Sequence, residues 1–152
     1  MKPACCRYMS MAMSKPALLS ILETALYVDD LERAASFYEG VMGLCTLFTD
    51  DRLRAYDVNG RSVLLLFMRG GTTEPVQTGG GLIPPHDGQG RLHIAFAVTH
   101  DEFARWRDRL EAAGVEIEGT SHWKRGGESV YFRDPDGNLL ELAATPGLWP
   151  GF

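Results

Sequence analysis

Two stretches, ETALYVDDLERAASFYEGVMG at 23–43 and HIAFAVTHDEFARWRDRLEAAG at 93–114, follow one grammar. Each opens on an alternating strand, passes a capping residue and runs into an amphipathic helix that stops at glycine. In the first, Leu22, Thr24, Leu26 and Val28 face one way while Glu23, Ala25 and Tyr27 face the other. Asp29 reads as the helix N-cap with Glu32 three residues on, and Leu31, Ala34, Ala35, Tyr38, Val41 and Met42 form the apolar stripe that ends at Gly43. In the second, Ile94, Phe96 and Val98 oppose His93, Ala95 and Ala97. Thr99 and Glu102 form a capping box, Phe103, Trp106 and Leu110 form the stripe, and Gly114 closes it. The chain is therefore a duplication.

Short strand candidates follow each helix: CTLFTD, LRAYDV and SVLLLFMR in the first copy, VEIEGT, SVYFRD and NLLELAA in the second. Asn59-Gly60 and Asp136-Gly137 tolerate positive φ and predict hairpin turns. Each copy thus reads as a βαβββ module, the first over 21–68 and the second over 91–146. Residues 69–90, RGGTTEPVQTGGGLIPPHDGQG, are too rich in Gly and Pro to form an element and read as a linker, long enough for a lid or hinge. Residues 1–20 read as a flexible extension and 147–152 as a tail. Either half alone buries too little apolar surface to fold, so the expectation is one α+β domain with a shared core.

Composition bounds the function. An apolar content of 45% with 23% charged residues is that of a globular protein, and no apolar run reaches the length of a membrane span. A net charge of -5, with basic residues scattered among acids, offers no footprint for a phosphate backbone, so no nucleic-acid partner is expected. Cys5, Cys6 and Cys45 have neither disulfide-framework nor zinc-knuckle spacing, which fits a cytoplasmic protein. Arg7 and Lys15 interrupt any signal-peptide core, and Met9, Met11 and Met13 are alternative start sites.

The chemistry concentrates in Glu23, His93 and Glu141. Each lies on the strand face opposite the bulky aliphatics, so all three are able to point into one concavity. One imidazole and two carboxylates neutralise a divalent cation and leave positions for water and substrate. Two hard oxygen donors favour Mn²⁺, Fe²⁺, Ni²⁺, Mg²⁺ or Zn²⁺. Ser129 and Tyr131 share an inward strand face and are candidate donors to a substrate oxygen. Tyr27, Tyr56, Trp106 and Trp123 are candidate pocket walls, and His122 lies with Trp123 at the expected mouth. Lys124, Arg125, His86 and His100 read as solvent-exposed.

The openings LYVDDLERAASFYEGVMGL and HIAFAV, with the closing hairpin SVYFRDPDGNLLEL, make the sequence resemble the vicinal oxygen chelate superfamily over Leu22 to Thr145. That superfamily includes glyoxalase I, bleomycin-resistance proteins, fosfomycin transferases and extradiol dioxygenases. The resemblance implies two βαβββ modules forming a cup-shaped mixed sheet around a divalent metal, with ligands from the first and last strands of both modules. These map to Glu23, His93, Glu141 and either Leu64 or Leu65, neither of which binds a metal. Ser129 and Tyr131 match the Ser-x-Tyr of fosfomycin transferases. Modules of such proteins often pair across chains, which implies a homodimer in which Glu23 meets His93 and Glu141 of the other subunit. The implied function is a metal-dependent lyase, isomerase or transferase acting on a small oxygenated molecule. The alternative is a metal-free protein that sequesters a drug or metabolite, as bleomycin-resistance proteins do.

Overall fold

The structure, a computed structural model, describes residues 15–152; the sequence readings on 1–14, among them Cys5, Cys6 and the alternative starts, lie outside it. The first copy folds as β1 (Glu23–Val28), α1 (Leu31–Ala35), β2 (Cys45–Thr49), β3 (Leu53–Val58) and β4 (Ser62–Met68). The second folds as β7 (His93–Thr99), α2 (His100–Ala112), β8 (Gly119–His122), β9 (Glu128–Arg133) and β10 (Leu139–Thr145). Each makes a four-stranded mixed sheet, ordered β1-β4-β3-β2 and β7-β10-β9-β8, with the first strand parallel to the last. Two βαβββ modules of the α+β class are thus realised. Among the described residues no helix is long and apolar enough to cross a membrane.

Strand alternation decides what each sheet buries. Leu26, Val28, Leu64 and Leu66 of one sheet and Val130, Phe132, Leu140 and Leu142 of the other join Leu31, Phe37, Tyr38, Phe103 and Leu110 from the helices in one continuous core. The opposite faces, bearing Glu23, Ala25 and Tyr27 on one sheet and His93, Ala95 and Ala97 on the other, are left for ligands. Tyr56 is fully buried, its hydroxyl donating to Glu39, and Trp106 packs against the core from α2. Tyr56 is thus no pocket wall, contrary to the sequence reading, and Trp106 keeps its place in the helix stripe, away from the pocket on the open face of the first sheet.

Local chemistry shifts several boundaries. The N-cap of α1 is Asp30, whose carboxylate accepts the Arg33 N–H, because Asp29 is engaged elsewhere: its side chain binds Arg69 and its N–H donates to Asp136. The helix is α-helical over Leu31–Ala35 and continues as π-helix over Ser36–Val41. Phe37, three residues after Ala34 and four before Val41, joins the buried stripe beside Tyr38, a position the sequence reading left out. The strand read at VEIEGT begins only at Gly119, which pairs with Tyr131; Val115 and Ile117 pack on the core instead. The Gly/Pro-rich connection is not featureless. It carries a hairpin of β5 (Val76–Thr78) and β6 (Gly81–Ile83), whose turn is closed by the Thr78 hydroxyl accepting from Gly80 N–H and donating to the Gly81 carbonyl.

The modules are welded at the Asp134-Pro135-Asp136-Gly137 turn. Buried Asp134 accepts from the N–H groups of Asp136 and Asn138, the Asn138 side-chain amide and the Tyr38 hydroxyl at 2.8 Å. Asp136 accepts from Asp29 N–H and Arg33. Burial, then the charge and hydrogen bond of Asp134, push the Tyr38 phenol well above its ordinary value. The unfolded chain therefore releases a proton near pH 10 that the folded chain keeps, and this contribution to stability is lost as pH rises beyond about 10. Tyr38→Phe is expected to cost about 1.5–3 kcal/mol at neutral pH, the range for a hydrogen bond to a charged group. It should also make the alkaline fall in stability shallower; urea unfolding at pH 7 and 10.5 checks both.

Candidate functional site

The two open faces carry different halves of the expected constellation. On the second, His93 and Glu141 come together: His93 Nε2 lies 3.3 Å from Glu141 Oε2. His93 stands on β7 with its ring half exposed, while Glu141 on β10 is buried. The imidazole Nδ1 is 3.0 Å from the Leu139 carbonyl, which only accepts, so Nδ1 carries the proton. In the neutral ring Nε2 then presents a lone pair to a carboxylate oxygen. Two acceptors in that position are held together by a cation, either a proton on Nε2 or a metal ion between them. The fixed tautomer and the anionic partner fit a divalent metal.

Ser129 on β9 is fully buried, and its hydroxyl donates to Glu141 Oε1 at 2.5 Å. Trp123, in the turn before β9, donates its indole N–H to Ser129 Oγ at 2.8 Å. Ser129 is therefore turned onto Glu141. Tyr131 pairs with Glu141 across the β9/β10 ladder, and its hydroxyl takes no protein partner among the described residues. His122 approaches Glu128 at 3.1 Å, Lys124 and Arg125 are exposed, and His100 is an exposed residue bound to the Pro146 carbonyl.

Glu23 sits apart, on the open face of the first sheet. It lines a pocket of about 570 Å³ with Tyr27, Arg52, Leu65, Phe67 and His86. Among the described residues no three His, Cys, Asp or Glu side chains are grouped to hold an ion. Among the described residues, one chain thus does not bring Glu23 into a cluster with His93 and Glu141. Ladder register resolves the choice between the leucines. Ala25 pairs with Leu65 as Ala95 pairs with Glu141, so Leu65 is the counterpart of Glu141 and Leu64 belongs to the core.

The connecting segment roofs this first pocket. His86 N–H donates to the Thr72 carbonyl, and the Thr72 hydroxyl donates to the His86 carbonyl. The His86 ring sits edge-on to Phe67, and its Nδ1 lies 2.7 Å from the Tyr27 hydroxyl. Gly88 lies flat on the Tyr27 ring, where a Cβ would come within 2.3 Å of a ring carbon. Although exposed, His86 is pinned, and its part in the pocket was not visible in a loop-like sequence. Burial, with the Asp87 charge behind it, raises the Tyr27 phenol above its ordinary value, so it stays a neutral hydrogen-bonding group at physiological pH.

Comparison with known proteins agrees with this architecture. Residues 20–142 match the family model of the Glyoxalase/Bleomycin resistance protein/Dioxygenase superfamily, and the chain belongs to that superfamily. It is 34% identical over 125 residues to the metallothiol transferase FosB of Lysinibacillus sphaericus, covering 81% of this chain and 80% of that protein. It is equally 34% identical over 128 residues to the glutathione transferase FosA of Serratia marcescens, covering 82% and 80%. The crystal structure of a lactoylglutathione lyase from Agrobacterium tumefaciens superposes with a TM-score of 0.80 at 36% identity, covering 91% of this chain and 100% of that one.

If the Tyr27–His86 contact holds the roof, Tyr27→Phe should speed amide hydrogen exchange across 72–88 while exchange in β1 and β4 stays slow. Exchange measured by mass spectrometry checks this, and unchanged protection over 72–88 would refute it.

Proposed function

We propose that this protein is a divalent-metal-dependent transferase or lyase acting on a small oxygenated substrate. The observation that carries the reading is the His93–Glu141 notch, with the imidazole tautomer fixed by Leu139 and the carboxylate by Ser129. The likeness to a metallothiol transferase across four-fifths of both chains supports it. Glu23 of one copy would complete the ligand set with His93 and Glu141 of a second copy in a homodimer. When bound, a divalent ion supplies Lewis-acid polarisation of substrate oxygens and stabilises developing negative charge. Mn²⁺, Fe²⁺, Ni²⁺, Mg²⁺ and Zn²⁺ all suit this donor set.

The remaining roles fall to the protein's own groups. Tyr131, beside Glu141 and with no protein partner for its hydroxyl among the described residues, would donate to a substrate oxygen. Leu65, where Glu141 has its counterpart, replaces a fourth carboxylate with an apolar wall. That removes the acid/base group a glyoxalase reaction would draw from this position and favours the transferase over the lyase. Sequestration without metal is the second reading, favoured by the roofed pocket of Tyr27, Phe67 and apolar Val76, Ile83 and Pro84.

Protein purified without chelator should carry about one divalent ion per chain by elemental analysis. His93→Ala and Glu141→Gln should each lose it, whereas ion-free protein with an intact ligand pocket would favour sequestration. Composite sites make a sharper demand. Glu23→Ala and His93→Ala homodimers should both be defective, but refolding the two variants together should restore about half of the wild-type ion binding in mixed dimers, because one of their two sites is intact. No recovery, or a monomer in solution, would refute sites shared between chains.

A further inference from the structure

We infer that Trp123 is a positioning residue for the ion site, acting through Ser129 to fix which oxygen of Glu141 is available. The inference rests on the metal-dependent reading above and extends it to a residue that touches neither His93 nor Glu141 in the hydrogen-bond network. Its basis is the direction of each hydrogen bond. An indole N–H can only donate, so the Trp123 bond of 2.8 Å occupies a lone pair of Ser129 Oγ. A carboxylate can only accept, so the Ser129 proton points along the 2.5 Å contact to Glu141 Oε1. The chain of donors runs one way, from indole to hydroxyl to carboxylate, with no alternative orientation for the serine.

The consequence is a division of labour between the two oxygens of Glu141. Oε1 is turned to Ser129, and Oε2, 3.3 Å from His93 Nε2, is the oxygen that faces the imidazole. Glu141 would thus meet a cation shared with His93 through Oε2. Ser129 is fully buried and Glu141 nearly so, which leaves no water to substitute for a lost hydroxyl at full strength. Trp123 itself is 39% exposed on the turn between β8 and β9, so its indole closes the network from the rim. An exposed tryptophan would be a poor choice for packing alone; its N–H gives it a reason to be there.

Trp123→Phe keeps an aromatic ring on the rim and deletes only the donor. Titration of the ion-free protein with MnCl2, followed by calorimetry, should give a Kd about 10- to 100-fold weaker than wild type, the usual effect of removing an outer partner of a ligand. The melting temperature of the ion-free variant should stay at the wild-type value. Ser129→Ala should show a similar loss, and the double variant should bind no more weakly than Ser129→Ala, since both act through one hydroxyl. Wild-type affinity in Trp123→Phe, or additive losses in the double variant, would overturn the inference while leaving the metal reading intact. Failure of the wild-type protein to bind Mn²⁺ or any of the other ions would overturn the metal reading and this inference with it.

Discussion

A carboxylate without a cation holds the two modules together. Asp134 is buried, and its charge is balanced by four hydrogen-bond donors, three from its own turn and one, the Tyr38 hydroxyl, from the helix of the other module. A buried charge is costly unless every lone pair is engaged, so the turn and the helix must meet in one geometry or not at all. That constraint fixes the helix-bearing faces of both sheets against each other. It also decides where the chemistry lies, because the faces left over are the outward ones carrying Glu23 and His93.

The division of the ligand set follows from the same packing. His93 and Glu141 belong to neighbouring parallel strands, β7 and β10, and come together within one sheet. Glu23 belongs to the other sheet, and the shared core lies between the faces. The pocket around Glu23 and the notch at His93 are therefore separate features of one chain, each furnished differently: aromatic and roofed in the first, polar and pre-oriented in the second.

Much of this was legible in the sequence because periodicity and capping are local. Alternation placed Glu23, His93, Tyr131 and Glu141 on the correct faces, and Thr99 caps α2 as its spacing to Glu102 requires. What escaped was set by distant partners. Asp29 was lost as a cap because Arg69 and Asp136 claim it. The connection at 69–90 looked structureless because its order comes from Thr72, His86 and Tyr27 meeting in space. Ser129 could be assigned to the site but not to Glu141, since only the Trp123 donor shows which way its proton points. The choice between Leu64 and Leu65 needed ladder register, which counting from the turn glycine missed by one residue.

The clasp between Thr72 and His86 has a bearing on how the protein can change. It pins both ends of the intervening loop by backbone and hydroxyl bonds, so the hairpin between them is a cassette anchored independently of its contents. Lengthening such a closed loop costs only about 0.6 kcal/mol for each doubling. Exchanges at Val76, Ile83 and Pro84, which line the pocket with Glu23, would rewrite its ceiling without disturbing either four-stranded sheet. The lining of that pocket is thereby free to diverge while the His93–Glu141 notch on the other module stays untouched.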